Sequence, residues 1–180
     1  MRCTRVSAAL HSPFVTALRT TSTVESVVVE VVDSDGSHGF GEAPQVWRVT
    51  GESLAGAEAC LMGPLRDVVI GRSVDDLADL LRAVEVAVVA NSGAKAALDV
   101  ALHDLAARQL GVSLPRYLGT SRRTVPTDVT VAAGDVGRLT DASKARVKDG
   151  FSVLKLKVGT DAETDVARIR AVRDLSLIHI

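Results

Sequence analysis

The sequence predicts an α+β domain, a three-stranded antiparallel sheet plus helices, followed by the first βα units of an unfinished parallel sheet or barrel. Three observations carry this. The first third of the chain alternates in the manner of strands around a turn signal at Asp35-Gly36. The middle places apolar residues at helical spacing. From Val125 onward strand and helix patterns alternate, the rhythm of a parallel sheet. At 180 residues the chain is too short for a complete (β/α)₈ barrel, which needs about 250.

Taken in order, Arg2–Ala9 reads as a weak first strand, Thr23–Val32 as a Val-dense second and Ser37–Glu42 as a third returning from the turn. His11–Thr21, with Pro13, and Ala43–Gly51, with Pro44 and Trp47, read as loops, and two loops flanking one small sheet can converge on one place. Glu52–Leu61 is a helix stopped near Gly63-Pro64. Ser73 caps a helix to about Val88, with Asp75 and Asp76 in the first turn, where the helix dipole favours acids. Asn91 caps the longest helix, about Ala94–Leu110, with an apolar stripe of Leu98, Ala101, Leu102, Leu105 and Ala106 and a stop signal at Gly111. Val125–Ala132 is a strand, Val136–Lys148 a helix ended by Gly150, and Phe151–Val158 a second strand. A last helix, to about Asp174, opens on the capping box Thr160-Asp-Ala-Glu163.

Composition removes several function classes. With 21 Lys+Arg against 22 Asp+Glu the chain lacks the basic excess of a nucleic-acid binder. Hydrophobic residues at 47% and charged residues at 24% are ordinary globular values and exclude disorder for most of the chain. No apolar run approaches the roughly 18 residues of a membrane span. Met1-Arg-Cys-Thr-Arg5 leads into no apolar segment, so no signal peptide is expected. Cys3 and Cys60 lie far apart without a CxxC pattern and read as small buried hydrophobes in a reducing cytoplasm.

Lys155-Leu-Lys157 is the most informative spacing. In a strand, residues i and i+2 share a face about 6.6 Å apart, so both ammonium groups project together near the C-terminal end of a parallel strand. In βα barrels that end carries the active site. Ammonium groups held side by side repel, and a lysine relieved of its proton can act as a base near neutral pH. The bland alternative is two solvated lysines on an edge strand. Against it, Phe151, Val153, Leu154 and Leu156 make the strand apolar on both faces, and burying two charges without purpose is costly.

Four stretches, in order, resemble the enolase superfamily, muconate-lactonising branch. Phe151-Ser-Val-Leu-Lys-Leu-Lys-Val-Gly159 resembles its KxK strand, and Gly39-Phe-Gly-Glu-Ala-Pro44 the GxGEA segment that ends its cap-domain sheet. Ala94–Leu105 and Gly111–Gly119 resemble its long cap helix and the exit into the barrel. Within the branch the chain is most similar to dipeptide epimerases of the L-Ala-D/L-Glu type, through Thr16-Ala-Leu-Arg-Thr20, Pro44–Glu52 and Thr127-Asp-Val-Thr-Val131. The o-succinylbenzoate synthases and muconate cycloisomerases share the KxK strand, and a non-catalytic cap-domain binding module is the rival from another class.

The resemblance implies an enolase-like cap domain over residues 1–119, the first two βα units of a truncated barrel over 120–174, and a non-native or truncated tail over 175–180. It implies an isomerase parent, a racemase or epimerase acting on amino acids and dipeptides, that removes an α-proton next to a carboxylate to give an enediolate held by Mg²⁺; Lys or His bases with Mg²⁺ are the general pattern of such sites. It makes Lys157 an acid/base and places Lys155 near the substrate carboxylate. Thr130 and Arg19 become substrate contacts, Arg19 from the cap. The metal-binding acids and the second base would lie beyond residue 180, so the fragment itself is expected to be inactive. The expected partner is a small dipeptide, with no nucleic acid or membrane, and a homo-oligomeric parent stays open.

Smaller candidates are bland. His103 beside Asp99 and Asp104 belongs to scaffold, His11 and His38 sit in or beside loops, and Asp33, Asp35 and His38 fit a polar hairpin turn better than a metal cluster. Leu175-Ser-Leu-Ile-His-Ile180 departs from the family pattern. It resembles the translated end of a transposon-derived sequencing adapter, and the rival reading is a natural third strand cut short.

Overall fold

The computed structural model describes residues 1–16, 19–121, 124–132, 134–159, 161–175 and 178–179. The chain forms two compact units, residues 1–9 with 23–122 and residues 10–22 with 123–180. Among the described residues no helix is long and apolar enough to cross a membrane.

The chain opens on a sheet of order β1-β2-β3, with β1 Arg2–Val15, β2 Thr20–Val32 and β3 His38–Pro44; residues 10–22 within it count to the second unit. β2 and β3 pair antiparallel from Ser26↔Pro44 to Val32↔His38 around the expected turn. There Gly36 takes a φ of 84°, and the Ser37 backbone N–H donates to Asp35 and holds its carboxyl below the usual range. The segment expected as a loop at 11–21 is instead mostly strand. β1 runs on to Val15 and β2 starts at Thr20, so His11 lies in a strand. Pro13 is tolerated because β1 is an edge strand, where a missing N–H breaks no central ladder.

The helices are α1 Leu54–Cys60, α2 Leu77–Ala87, α3 Ser92–Gln109 and the short α4 Leu114–Tyr117. The chain leaves the helical conformation at Gly63 (φ −106°, ψ −110°), where the Gly63-Pro64 stop is expected, and helical structure resumes beyond that break. Pro64 lacks an N–H to donate, and the break removes the clash its ring would make with the preceding turn. Ser73 caps as expected, its hydroxyl accepting the Asp75 N–H at 3.1 Å. Gly111, at φ 65°, ends α3, with its N–H on Arg108 O and that of Val112 on Ala107 O.

Val27, Val29 and Val31 of β2 face a core completed by Ala43, Leu61, Leu65, Leu80, Leu98 and Leu102. α3 lies directly on β3 because β3 offers it glycines. A Cβ at Gly41 would sit 1.8 Å from the Ala97 carbonyl oxygen, and one at Gly39 2.1 Å from that of Ala101. The GxG spacing thus has a steric cause: these two positions face the helix backbone. Cys3 and Cys60 are both free thiols, Cys60 buried and Cys3 half-buried.

Asn91 precedes α3 but does not cap it by side chain; its backbone is left-handed (φ 55°) and its amide donates to Val89 O. Glu52 caps α3 instead, accepting the Gly93 N–H at 2.6 Å and the Ser92 hydroxyl at 3.3 Å. A carboxylate on free helical N–H groups also meets the positive end of the helix dipole. Glu52→Ala should cost about 1 kcal/mol of stability in denaturant melts, and Asn91→Gly a few tenths at most; a larger loss at Asn91 would reverse the assignment.

Two polar residues of β2 are buried, Ser26 and Glu30. Glu30 is 7% exposed, its Oε1 2.6 Å from His38 Nδ1 and its Oε2 2.6 Å from the Arg2 guanidinium. His38 therefore pairs with Glu30 rather than with the turn aspartates. The His38 hydrogen bond first, with Arg2 adding its charge against the opposing pull of burial, holds the Glu30 carboxyl below 4.5. A depressed folded pKa gives stability that is present above the unfolded value and is lost as pH falls through the folded one. Acid should therefore weaken the protein progressively below about pH 4.5 through this group. Glu30→Gln should flatten that part of the profile of melting temperature against pH, and an unchanged profile would rule the group out.

The second unit contains β4 Val129–Val131, α5 Val136–Lys148, β5 Val153–Leu156, α6 Ala162–Arg173 and β6 Ile178–His179, with a parallel sheet of order β4-β5-β6. Both long strands are shorter than expected. The Asp135 carboxylate caps α5 by accepting the Arg138 N–H, and Gly150 (φ 95°) follows its end. Asp161 caps α6, accepting the Thr164 N–H at 2.8 Å; Thr160, expected as the cap, lies outside the described residues. Those backbone N–H groups hold both aspartates below the ordinary carboxyl range. In the tail, the Ile178–His179 backbone pairs in parallel with Val153–Leu154.

Candidate active site

Strand parity sorts the side chains of the second unit. β4 and β5 pair as Val129↔Leu154, Thr130↔Lys155 and Val131↔Leu156. Leu154 and Val131 are buried with Leu139 of α5 and Val172 of α6, and Val129 and Leu156 pack against the same cluster. One face of the sheet thus seals against the helices. Thr130 and Lys155 share the opposite face, because register partners point the same way and neighbours in a strand alternate.

Lys157 follows Lys155 by two residues, just past β5. Its N–H donates to Val131 O at 3.4 Å, so the parallel ladder continues and its side chain keeps the Lys155 face. The strand is not apolar on both faces, as its composition suggested. Lys155 is exposed and Lys157 half-buried, so the second face is open and charged. The Lys157 ammonium lies 5.7 Å from the centroid of the Phe14 ring, a cation–π contact of about 0.5–1 kcal/mol where solvent reaches it.

Arg19 lies half-buried next to the β1–β2 tip, where its backbone N–H donates to the Thr16 hydroxyl and its carbonyl accepts the Thr16 N–H. Among the described residues its guanidinium has no hydrogen bond or ion pair. The structure therefore brings Thr130, Lys155 and Lys157 to one face and gives Arg19 no polar contact with them. A cavity of about 440 Å³ borders Thr130 and is lined besides by Phe14, Arg138, Leu139 and Arg146; neither Lys155 nor Lys157 lines it. Among the described residues no three His, Cys, Asp or Glu side chains gather as a metal site. These residues do not fit a resident Mg²⁺.

Two groups at this end escaped the sequence reading. Phe14 fell in a stretch taken for a loop. Asp165 and Arg168 of α6 were not singled out, yet their side chains are 15% and 8% exposed and pair at 2.9 Å. The available signal was position: Arg168 lies one turn before the buried Val172, on the helix stripe that faces the sheet.

A three-stranded sheet backed by helices, followed by the start of a parallel βα sheet with lysines on its open face, is the cap-and-barrel architecture. Residues 1–119 match the N-terminal domain of mandelate racemase / muconate lactonizing enzyme, and the chain belongs to that family. It is 36% identical to the L-Ala-D/L-Glu epimerase of Bacillus subtilis, over 94% of this chain and 46% of that relative. It superposes on a substrate-liganded complex of the B. subtilis epimerase with a TM-score of 0.93 at 36% identity, over 96% of this chain and 48% of the other. A dipeptide epimerase from Methylococcus capsulatus, complexed with Mg and the dipeptide L-Arg-D-Lys, gives a TM-score of 0.89 at 32% identity, over 96% of this chain and 49% of the other. The chain spans about half the length of these relatives.

Proposed function

We propose that these residues are the cap domain and opening βα units of a cytoplasmic epimerase that inverts the α-carbon of one residue of a dipeptide. The observation that carries this reading is the shared open face of Thr130, Lys155 and Lys157, opposite a strand face sealed by helices. A substrate carboxylate lying along that face meets the Lys155 ammonium. Lys157 takes the α-proton onto its Nζ, and the C–H bonding pair passes into the carboxylate to give an enediolate. Lys155 stabilises the charge that grows on its oxygens, an interaction stronger in the transition state than in the ground state. Return of a proton from the opposite side of the α-carbon gives the other epimer, and that second base lies outside residues 1–180. Thr130 contacts the substrate, and Arg19, free of an ion pair among the described residues, suits an acidic side chain or terminus. The relatives described with Mg make a Mg²⁺-dependent parent part of the reading; its ligands also lie outside this chain.

The isolated 180-residue chain should show no α-proton exchange in D₂O with any dipeptide, followed by proton NMR. Residues 1–174 fused to the remaining half of the B. subtilis epimerase should restore exchange on a dipeptide panel in the presence of Mg²⁺. Turnover by the isolated chain, abolished by Lys157→Ala, would refute the missing half. A folded fusion silent on every dipeptide would refute the activity.

A further inference from the structure

We propose that Asp165 and Arg168 are positioning residues that tie together the chain ends leaving β4 and β5, and so aim the face carrying Thr130, Lys155 and Lys157. The inference rests on the reading of that face as catalytic. The Arg168 Nε donates to the Gly134 carbonyl at 2.7 Å, three residues past β4. Its Nη1 donates to Asp165 Oδ1 at 2.9 Å. The other Asp165 oxygen accepts the Gly159 N–H at 2.7 Å, two residues past Lys157. One ion pair on α6, its Arg168 buried and its Asp165 half-buried, thus holds both exits at the C-terminal end of the parallel strands.

The geometry is more specific than stability requires. A buried ion pair is weak evidence of stabilisation, and apolar replacements of similar volume are often neutral or better. Helix α6 already docks through Val172. What an apolar side chain cannot do is grip two backbone groups on separate strands. The planar guanidinium fork supplies fixed donors for the Gly134 carbonyl and Asp165, a geometry that a lysine cannot reproduce. Gly159 takes a φ of 111°, so the chain after Lys157 is at its most permissive where Asp165 seizes it.

The test uses the intact 180-residue chain. In wild type the Phe14 ring should shift the Lys157 Hε protons upfield, a signal assigned by its loss in Phe14→Leu. The double variant Asp165→Asn/Arg168→Met should keep the wild-type melt, speed amide exchange at Gly159 and Lys157 roughly tenfold, and lose the ring-current shift. A double variant with wild-type melt, exchange and shift overturns the proposal. If that variant does not fold, Arg168→Lys decides: loss of the shift in a folded protein supports the tether, and a retained shift overturns it. Failure of both variants to fold also overturns it, since the pair would then be structural only. No turnover is read, so this result and that of the fusion assay stand or fall separately.

Discussion

Gly41→Ala is expected to unfold the first unit or leave it barely stable, although it adds only a methyl group. The added carbon would lie 1.8 Å from the Ala97 carbonyl oxygen and 3.1 Å from the Ala101 nitrogen. The first is far inside van der Waals contact, and the obstacle is helix backbone, which cannot rotate away as a side chain can. Relief requires α3 to lift from β3. That would loosen Leu98, Leu102 and Leu105, all in the unit's core, and draw Glu52 from its hold on the Gly93 N–H. Overpacking commonly costs about 1–3 kcal/mol and more when the neighbours are rigid; here the upper end is expected. Urea melts followed by circular dichroism measure it. As a control, Gly36→Ala meets no atom within 4 Å and offends only through its φ of 84°, so it should cost much less. Equal losses at the two sites would show that conformational freedom, not contact with α3, sets the need for glycine at Gly41.

Parts of this architecture follow from local sequence and parts do not. The three strands at the start of the chain, the turn at Asp35-Gly36 and the stop at Gly111 rest on short-range chemistry, and each is found. The face shared by Lys155 and Lys157 rests on strand parity alone. Long-range partners were not legible. Glu52 caps a helix through the Gly93 N–H, 41 positions away, and no local pattern favours it over Asn91. Gly39 and Gly41 were visible as a motif, but only the contact with α3 explains them. Pro13 suggested a loop because its meaning depends on whether the strand is central or at an edge, which sequence does not show. Asp165 and Arg168 were hidden for the same reason: an i, i+3 charge pair on a helix is usually solvent-exposed, and only packing against a sheet turns it into a tether.

Lys157→Ala and Lys155→Ala should fail in different ways once the catalytic half is supplied by fusion. Lys157 is proposed to stand on one side of the α-carbon. Its loss removes a general base worth about 10²–10⁴-fold, but only for the epimer whose α-proton points toward it. The opposite epimer can still lose its proton to the second base and regain deuterium from it, so exchange without inversion should persist for that isomer alone. Lys155 is proposed to act on the enediolate, which both directions share. Lys155→Ala should therefore slow exchange of both epimers alike, in kcat more than in KM, because the interaction grows as the proton leaves. The register supports this division: Lys155 sits directly beside Thr130 in the ladder, while Lys157 lies two residues further on, just past β5, against the Phe14 ring. Deuterium incorporation into each epimer separately, by proton NMR, reads both variants. Symmetric loss on Lys157→Ala, or one-sided loss on Lys155→Ala, would show that the roles are exchanged or that neither lysine is the base.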